Sequence, residues 1–232
     1  IIGVAKGVPA TFDFGVALGT DPDAGPATNP FNVGNGQYLV AYEFTVRNYG
    51  DVPLADLMLT DDLATQLAQG NPTAYAAVSS ATMGGAGSLT ANPAYDGAAG
   101  TNMLVDGQTL GYSETELVTE TVHVVVTLEP GAELVSGTLA LTNEADVQGT
   151  SPGGQDVTDD SNEGFDPDAG QPNDDDPTND GDGDPNNNDG PTTVTLTEAP
   201  AIALAKALTA TENLGTGQYR VSFDLTVSNV GD

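Results

Sequence analysis

Thirteen carboxylates crowd the stretch from Asp156 to Asp189, with Asn, Gly and Pro filling most of the other positions and no Lys or Arg among them. Left bare, such a run repels itself into an extended coil, and a bound cation supplies the missing countercharge. Calcium suits it, because Ca2+ takes about 6–8 oxygen ligands from carboxylates, Asn side chains and carbonyls, and Gly lets the chain wrap tightly. Asp180-Gly181-Asp182-Gly183-Asp184 sets oxygens at alternate positions, as calcium loops do. It is not an EF-hand, since Pro185 stands where that loop requires Gly and Pro191 where it requires Glu. The expected ligands are Asp166, Asp168, Asp180, Asp182 and Asp184, joined by Asp159, Asp160 and, at a loop edge, Asp61. The competing readings are a solvated linker, another cation, and for Asp61 and Asp62 a hydrated turn.

Nucleophilic catalysis finds little to work with. His123 is the sole histidine and falls in the middle of an apolar run, as a strand residue does. The sequence has no Gly-x-Ser-x-Gly elbow, no Gly-x-Gly-x-x-Gly fingerprint and no P-loop. Acid pairs of the kind that cleave glycosides can be drawn from 34 acids almost at will, so they carry no information. The expectation is a protein that is not an enzyme.

The charge balance narrows the partners. Lys6, Arg47, Lys206 and Arg220 face 34 acids across 232 residues, a formal net charge of −30. That surface repels nucleic-acid phosphates and anionic membranes and draws cations. A saline habitat is a second explanation of the same acidity. There is no Cys for disulfides or thiolate metal sites. No apolar run approaches the about 20 residues that cross a bilayer. The opening Ile1-Ile2-Gly3, without an initiator Met or a leader pattern, reads as an interior or processed segment.

An internal repeat organises the chain. Gly34-Asn35-Gly36-Gln37-Tyr38 recurs as Gly215-Thr216-Gly217-Gln218-Tyr219, and the likeness runs on to Asn48-Tyr49-Gly50-Asp51 and Asn229-Val230-Gly231-Asp232 at a constant offset of 181. Upstream, Val4-Ala5-Lys6 matches Leu204-Ala205-Lys206 at an offset of 200, so the first copy carries about 19 extra residues near Phe12 to Asn32. Both copies alternate with period two, which places Tyr38, Val40, Tyr42, Phe44 and Val46 on a buried face. Further strands are expected over 54–61, 74–82, 108–112, 120–128 and 137–148, separated by Gly, Pro, Asn and Asp turns. With 29 Gly, 15 Pro and only 6% aromatics, the class is all-β. The expected organisation is an Ig-like β-sandwich with long loops over 1–150, an acidic linker over 151–191, and over 192–232 the first strands of a next repeat. The five alternating apolar residues from Tyr219 to Val227 then need cover from continuing chain or a neighbouring subunit.

Several segments resemble the Ig-like conserved surface repeats of large bacterial and archaeal cell-surface proteins. They are Val4-Ala5-Lys6, the strand Tyr42 to Gly50, Leu57-Met58-Leu59-Thr60-Asp61-Asp62-Leu63, Leu141-Thr142-Asn143-Glu144-Ala145-Asp146-Val147, and the acidic ending Val157 to Asp168. The Pro usual after the Asp-x-Leu corner is replaced by Ala64. The resemblance implies an extracellular or cell-surface structural role, with the chain's partner being itself, as tandem repeats or as a homopolymer. An adhesin module presenting its loops to a glycan or protein is the alternative. Some surface Ig-like domains also join a first-strand Lys to a late-strand Asn beside a carboxylate. Lys6, Asn143 and Glu43 have the types for such an isopeptide bond, against the plainer reading of Lys6 in a surface ion pair.

Overall fold

The computed structural model describes residues 1–15, 25–34, 36–68, 75–79, 81–85, 87–129, 137–167, 190–198 and 200–231. In chain order the strands are β1 (Ile2–Gly7), β2 (Thr11–Phe12), β3 (Ala27–Thr28), β4 (Phe31–Gly34), β5 (Gln37–Asn48) and β6 (Ala55–Thr60). After a single helical turn, α1 (Leu63–Gln66), come β7 (Tyr75–Val78), β8 (Thr82–Met83), β9 (Val118–Leu128), β10 (Thr138–Asn143), β11 (Asp146–Thr150), β12 (Asp156–Asp160) and β13 (Asn162–Glu163). The last three are β14 (Thr192–Thr197), β15 (Ile202–Gly215) and β16 (Gln218–Asn229).

The main sheet runs β13-β1-β5-β9-β7, with β4 also on β5 and β8 also on β9. Its middle is long because 37–48 and 118–128 hold neither Gly nor Pro and are rich in β-branched and aromatic residues. Two smaller sheets, β12-β11-β6 and β10-β14, share one hydrophobic core with it. Tyr38, Val40, Tyr42, Phe44 and Val46 all lie in that core, as their alternation predicts. Leu39 and Ala41 blur the alternation because their face is covered too. They pack with Val125 under Phe14, and Phe12 and Ala27 close over them. The extra loop of the first copy thus roofs the outer face of β5 and β9.

The structure corrects three expectations. Residues 108–112 form only an isolated bridge, Leu54 to Leu110, where a strand was expected. The strand expected over 137–148 breaks at Glu144 and Ala145 into β10 and β11, which belong to different sheets. The boundaries of the first unit also move. Within the expected linker, β12 pairs with β11 and β13 runs parallel to β1. Residues 192–197, expected to open the next repeat, pair as β14 with all six residues of β10. The cause is burial: Val194 and Leu196 alternate with exposed Thr and enter the first core.

β15 and β16 form an isolated two-stranded hairpin in which every residue is exposed. Leu204, Phe223, Leu225 and Val227 on one of its faces are among the exposed large hydrophobics.

Candidate functional site

Three inward-facing rows each end in a polar residue, and the three ends meet. On β1, Ile2 and Val4 precede Lys6 at period two, and Lys6 pairs in register with the core residue Phe44. On β6, Leu57 and Leu59 precede Asp61, which stands one residue past the strand with the same inward parity. On β10, Leu141 precedes Asn143.

Lys6 Nζ donates to Asp61 Oδ2 at 2.5 Å, and the side chains of both are fully buried. Asn143 Nδ2 donates to the other oxygen, Asp61 Oδ1, at 2.7 Å. Nζ also lies 4.3 Å from the centroid of the Tyr42 ring and 5.3 Å from that of Phe44, which wall it from water. The backbone is held as well: Tyr95 Oη donates to the Asp61 carbonyl at 3.0 Å, and Thr192 Oγ1 to the Lys6 carbonyl at 2.6 Å. Among the described residues two buried side-chain polar atoms have no hydrogen-bond partner, Tyr42 Oη and Asn143 Oδ1. Both belong to this cluster, and a buried polar atom left unpaired costs about 1–3 kcal/mol.

Burial dominates the electrostatics and acts oppositely on the two ionisable partners. It pushes the Lys6 ammonium down from its usual range, although the Asp61 charge and hydrogen bond pull it back. It pushes the Asp61 carboxyl up, against the pull of Lys6 and Asn143. Both shifts favour the neutral pair, an amine beside a carboxylic acid. The same burial, with Asp61 nearby, pushes the Tyr42 phenol up, so it stays protonated. The cluster therefore offers a desolvated amine, an acid and a carboxamide touching through one carboxyl group.

The residues expected from sequence divide accordingly. Lys6 and Asn143 come together, but Glu43 does not join them. Glu43 pairs in register with Gly7 and His123, the opposite parity from Lys6 and Phe44, and its Oε2 lies 2.8 Å from His123 Nε2 on the outer face. Asp61 takes the place expected of Glu43. Its parity with Leu57 and Leu59 was the available signal, masked by the adjoining Asp62, which makes the pair look like a hydrated turn.

The expected calcium ligands do not converge where they are described. Both Asp61 oxygens are used by Lys6 and Asn143. Asp166 pairs with Arg47 at 2.5 Å, and buried Asp159 accepts the Val4 N–H at 2.7 Å. Asp160 lies across from Asp146 on β11 and shares a hydrogen bond with it. Asp168, Asp180, Asp182 and Asp184 lie outside the described residues. Among the described residues no three His, Cys, Asp or Glu side chains form a group that could hold a metal.

Fold and site together define an all-β sandwich with a buried lysine–aspartate–asparagine cluster. No family model matches the chain, and no curated protein matches it. Among solved structures it is similar to the full-length major pilin SpaD from Corynebacterium diphtheriae, at 14% identity and a TM-score of 0.33, over 94% of this chain and 40% of that one. A structure of domains D2 and D3 of the same pilin aligns at 16% identity and a TM-score of 0.28, over 78% of this chain and 53% of that one. An uncharacterised β-sandwich protein from Clostridium difficile 630 aligns at 8% identity and a TM-score of 0.18, over 68% of this chain and 79% of that one. The chain spans well under half the length of the full pilin, and likenesses this distant carry no functional argument. No helix among the described residues is long and apolar enough to cross a membrane.

Proposed function

We propose that this chain is a structural, non-enzymatic segment of an extracellular filament or stalk, whose first sandwich is locked by an amide bond between Lys6 and Asn143. The observation that supports the lock is the Asp61 carboxyl gripped on one oxygen by Lys6 and on the other by Asn143.

The chemistry balances without any co-reactant. A half-turn of the Asn143 carboxamide gives its orphan Oδ1 a partner, the acid proton of Asp61, and polarises the carbonyl carbon. The neutral Lys6 amine attacks that carbon, and the new N–C bond forms as the carbonyl π pair moves to oxygen. Asp61 then passes a proton to the departing nitrogen and regains one from the amine. The old C–N bond breaks and ammonia leaves, with no change of oxidation state. The products are one neutral amide and one neutral acid, so the buried site holds no charge after the reaction.

The bond would tie the first strand, β1, to β10 on another sheet. Tension on the chain then cannot peel β1 from the sandwich, which is the property a filament segment needs. The internal repeat and the uncovered β15–β16 hairpin support an assembly of serial units, and the acidic tract supports calcium fixing the angle between them. Intact mass under denaturing conditions tests the lock. The chain is expected one ammonia lighter than its sequence, and a mass equal to the sequence would reject it.

A further inference from the structure

Lys6 and Asn143 sit on layers that share no ladder. Lys6 belongs to β1 in the main sheet, whereas Asn143 belongs to β10, whose sole strand partner among the described residues is β14. Apolar packing between layers is non-directional, whereas a hydrogen bond fixes both distance and angle. A reaction between the layers therefore depends on a polar contact that sets the depth of one against the other.

Thr192 makes such a contact. It is the first residue of β14 and stands directly opposite Asn143 in the β10–β14 pair. Opposed residues of an antiparallel pair share a face, so its side chain points inward beside that of Asn143, and both residues are 1% exposed. From there Thr192 Oγ1 donates to the Lys6 carbonyl at 2.6 Å. One residue thus holds both partners, Asn143 through the strand ladder and Lys6 through a hydroxyl. The inward row of β14, Leu196, Val194 and Thr192, also ends in a polar residue, and it ends where the rows of Lys6, Asp61 and Asn143 do. Burial alone would be served by a third apolar residue. Nor does the Lys6 carbonyl need the hydroxyl for its satisfaction, since it also accepts the Gly164 N–H at 3.0 Å. The far end of β14 is tied separately, by Tyr38 Oη donating to the Thr197 carbonyl at 3.0 Å.

We infer that Thr192 is a positioning residue for the Lys6–Asn143 bond, holding the β1 main chain at the depth where the amine meets the carboxamide. The inference rests on the reading of Lys6 given above. Thr192 touches no reacting atom and acts through the main chain of Lys6. Before β14 docks, β10 lacks its ladder and the two reacting residues have no common anchor. The bond therefore closes only once the chain beyond the acidic tract is in place.

The rate of ammonia loss tests this. The full chain, isolated in denaturant from material that has never folded, is diluted to start folding. Far-UV circular dichroism follows folding, and intact mass of samples quenched in denaturant follows the bond. Thr192→Val keeps the branch and the volume, and is expected to reach the folded signal but to lose ammonia up to about 100-fold more slowly, the scale of a misplacement of about 1 Å. Thr192→Ser restores the hydroxyl and is expected to react at close to the wild-type rate. Tyr38→Phe removes the other tie of β14 and is expected to leave the rate unchanged. Where valine prevents folding, Thr192→Ala is read by the same criterion. Equal rates in Thr192→Val and the wild type would overturn the inference and leave the bond standing. Equal slowing in Thr192→Ser, or in Tyr38→Phe, would overturn it too, by assigning the effect to side-chain shape or to β14 docking in general. A wild-type chain that keeps its ammonia would overturn the bond and this role together.

Discussion

Lys6 and Asn143 never touch the same oxygen, yet they touch the same carboxyl group: Asp61 accepts from the amine on Oδ2 and from the carboxamide on Oδ1. An ordinary buried ion pair would need only the first contact. The second brings a carboxamide to the carboxyl group that holds the desolvated amine, and it is achieved by three strands whose inward rows all end at one place.

Replacing Asp61 with Asn tests that arrangement directly. The variant keeps shape but has no acid to move protons, so its mass should equal its sequence. It also leaves the buried Lys6 amine without its carboxyl partner, and a buried polar group left unpaired costs about 1–3 kcal/mol. Losing a covalent tie across a loop this long adds up to about 5 kcal/mol if it acts as a disulfide does. The midpoint of denaturant unfolding should fall steeply. A variant that is still one ammonia lighter would show that Asp61 is not needed.

Tyr42→Phe should do the opposite. Its hydroxyl is buried without a partner, and removing such a group recovers up to about 1–3 kcal/mol less the cost of the small void. The repeat makes the same exchange at Phe223. Chemical denaturation should show an unchanged or higher midpoint, and a loss above about 1 kcal/mol would mean that the hydroxyl has a stabilising role.

Asp146 sets a pH dependence. Burial, with the hydrogen bond and charge of Asp160, raises its carboxyl from 3.8 to about 6. A carboxyl raised in the folded state stabilises the fold most below its unfolded value, and that contribution is lost as pH rises through about 6. Asp146→Asn should therefore raise the thermal midpoint at about pH 8 and lose that advantage by about pH 4. An advantage of equal size at both values would rule out this titration as its source.

Calcium titrated into chelator-treated protein should give a saturable heat and a higher thermal midpoint, because the acidic tract relieves its self-repulsion by binding. Heats no larger than those of added sodium chloride at matched ionic strength would leave screening alone as the explanation.

Much of this was legible in period-two parity. The alternation from Tyr219 to Val227 assigned the core face of β5, and the same parity places Glu43 outside, opposite His123. Applied to Leu57, Leu59 and Asp61, it also points Asp61 inward, but one strand cannot reveal that Lys6 and Asn143 arrive at the same depth. That depends on which strands become neighbours. β14 was hidden for a related reason: Val194 and Leu196 look like the start of a new unit because the acidic tract separates them from β10, and sequence distance is a poor guide to pairing in a sandwich closed by long connections.

The most direct test of the central claim is peptide sequencing by tandem mass spectrometry across the proposed bond. The account predicts a branched peptide in which Lys6 Nζ is acylated by the side chain of residue 143, and no reaction of Lys6 with amine reagents in the unfolded chain. A linear peptide with an intact Asn143, together with a freely labelled Lys6, would contradict it.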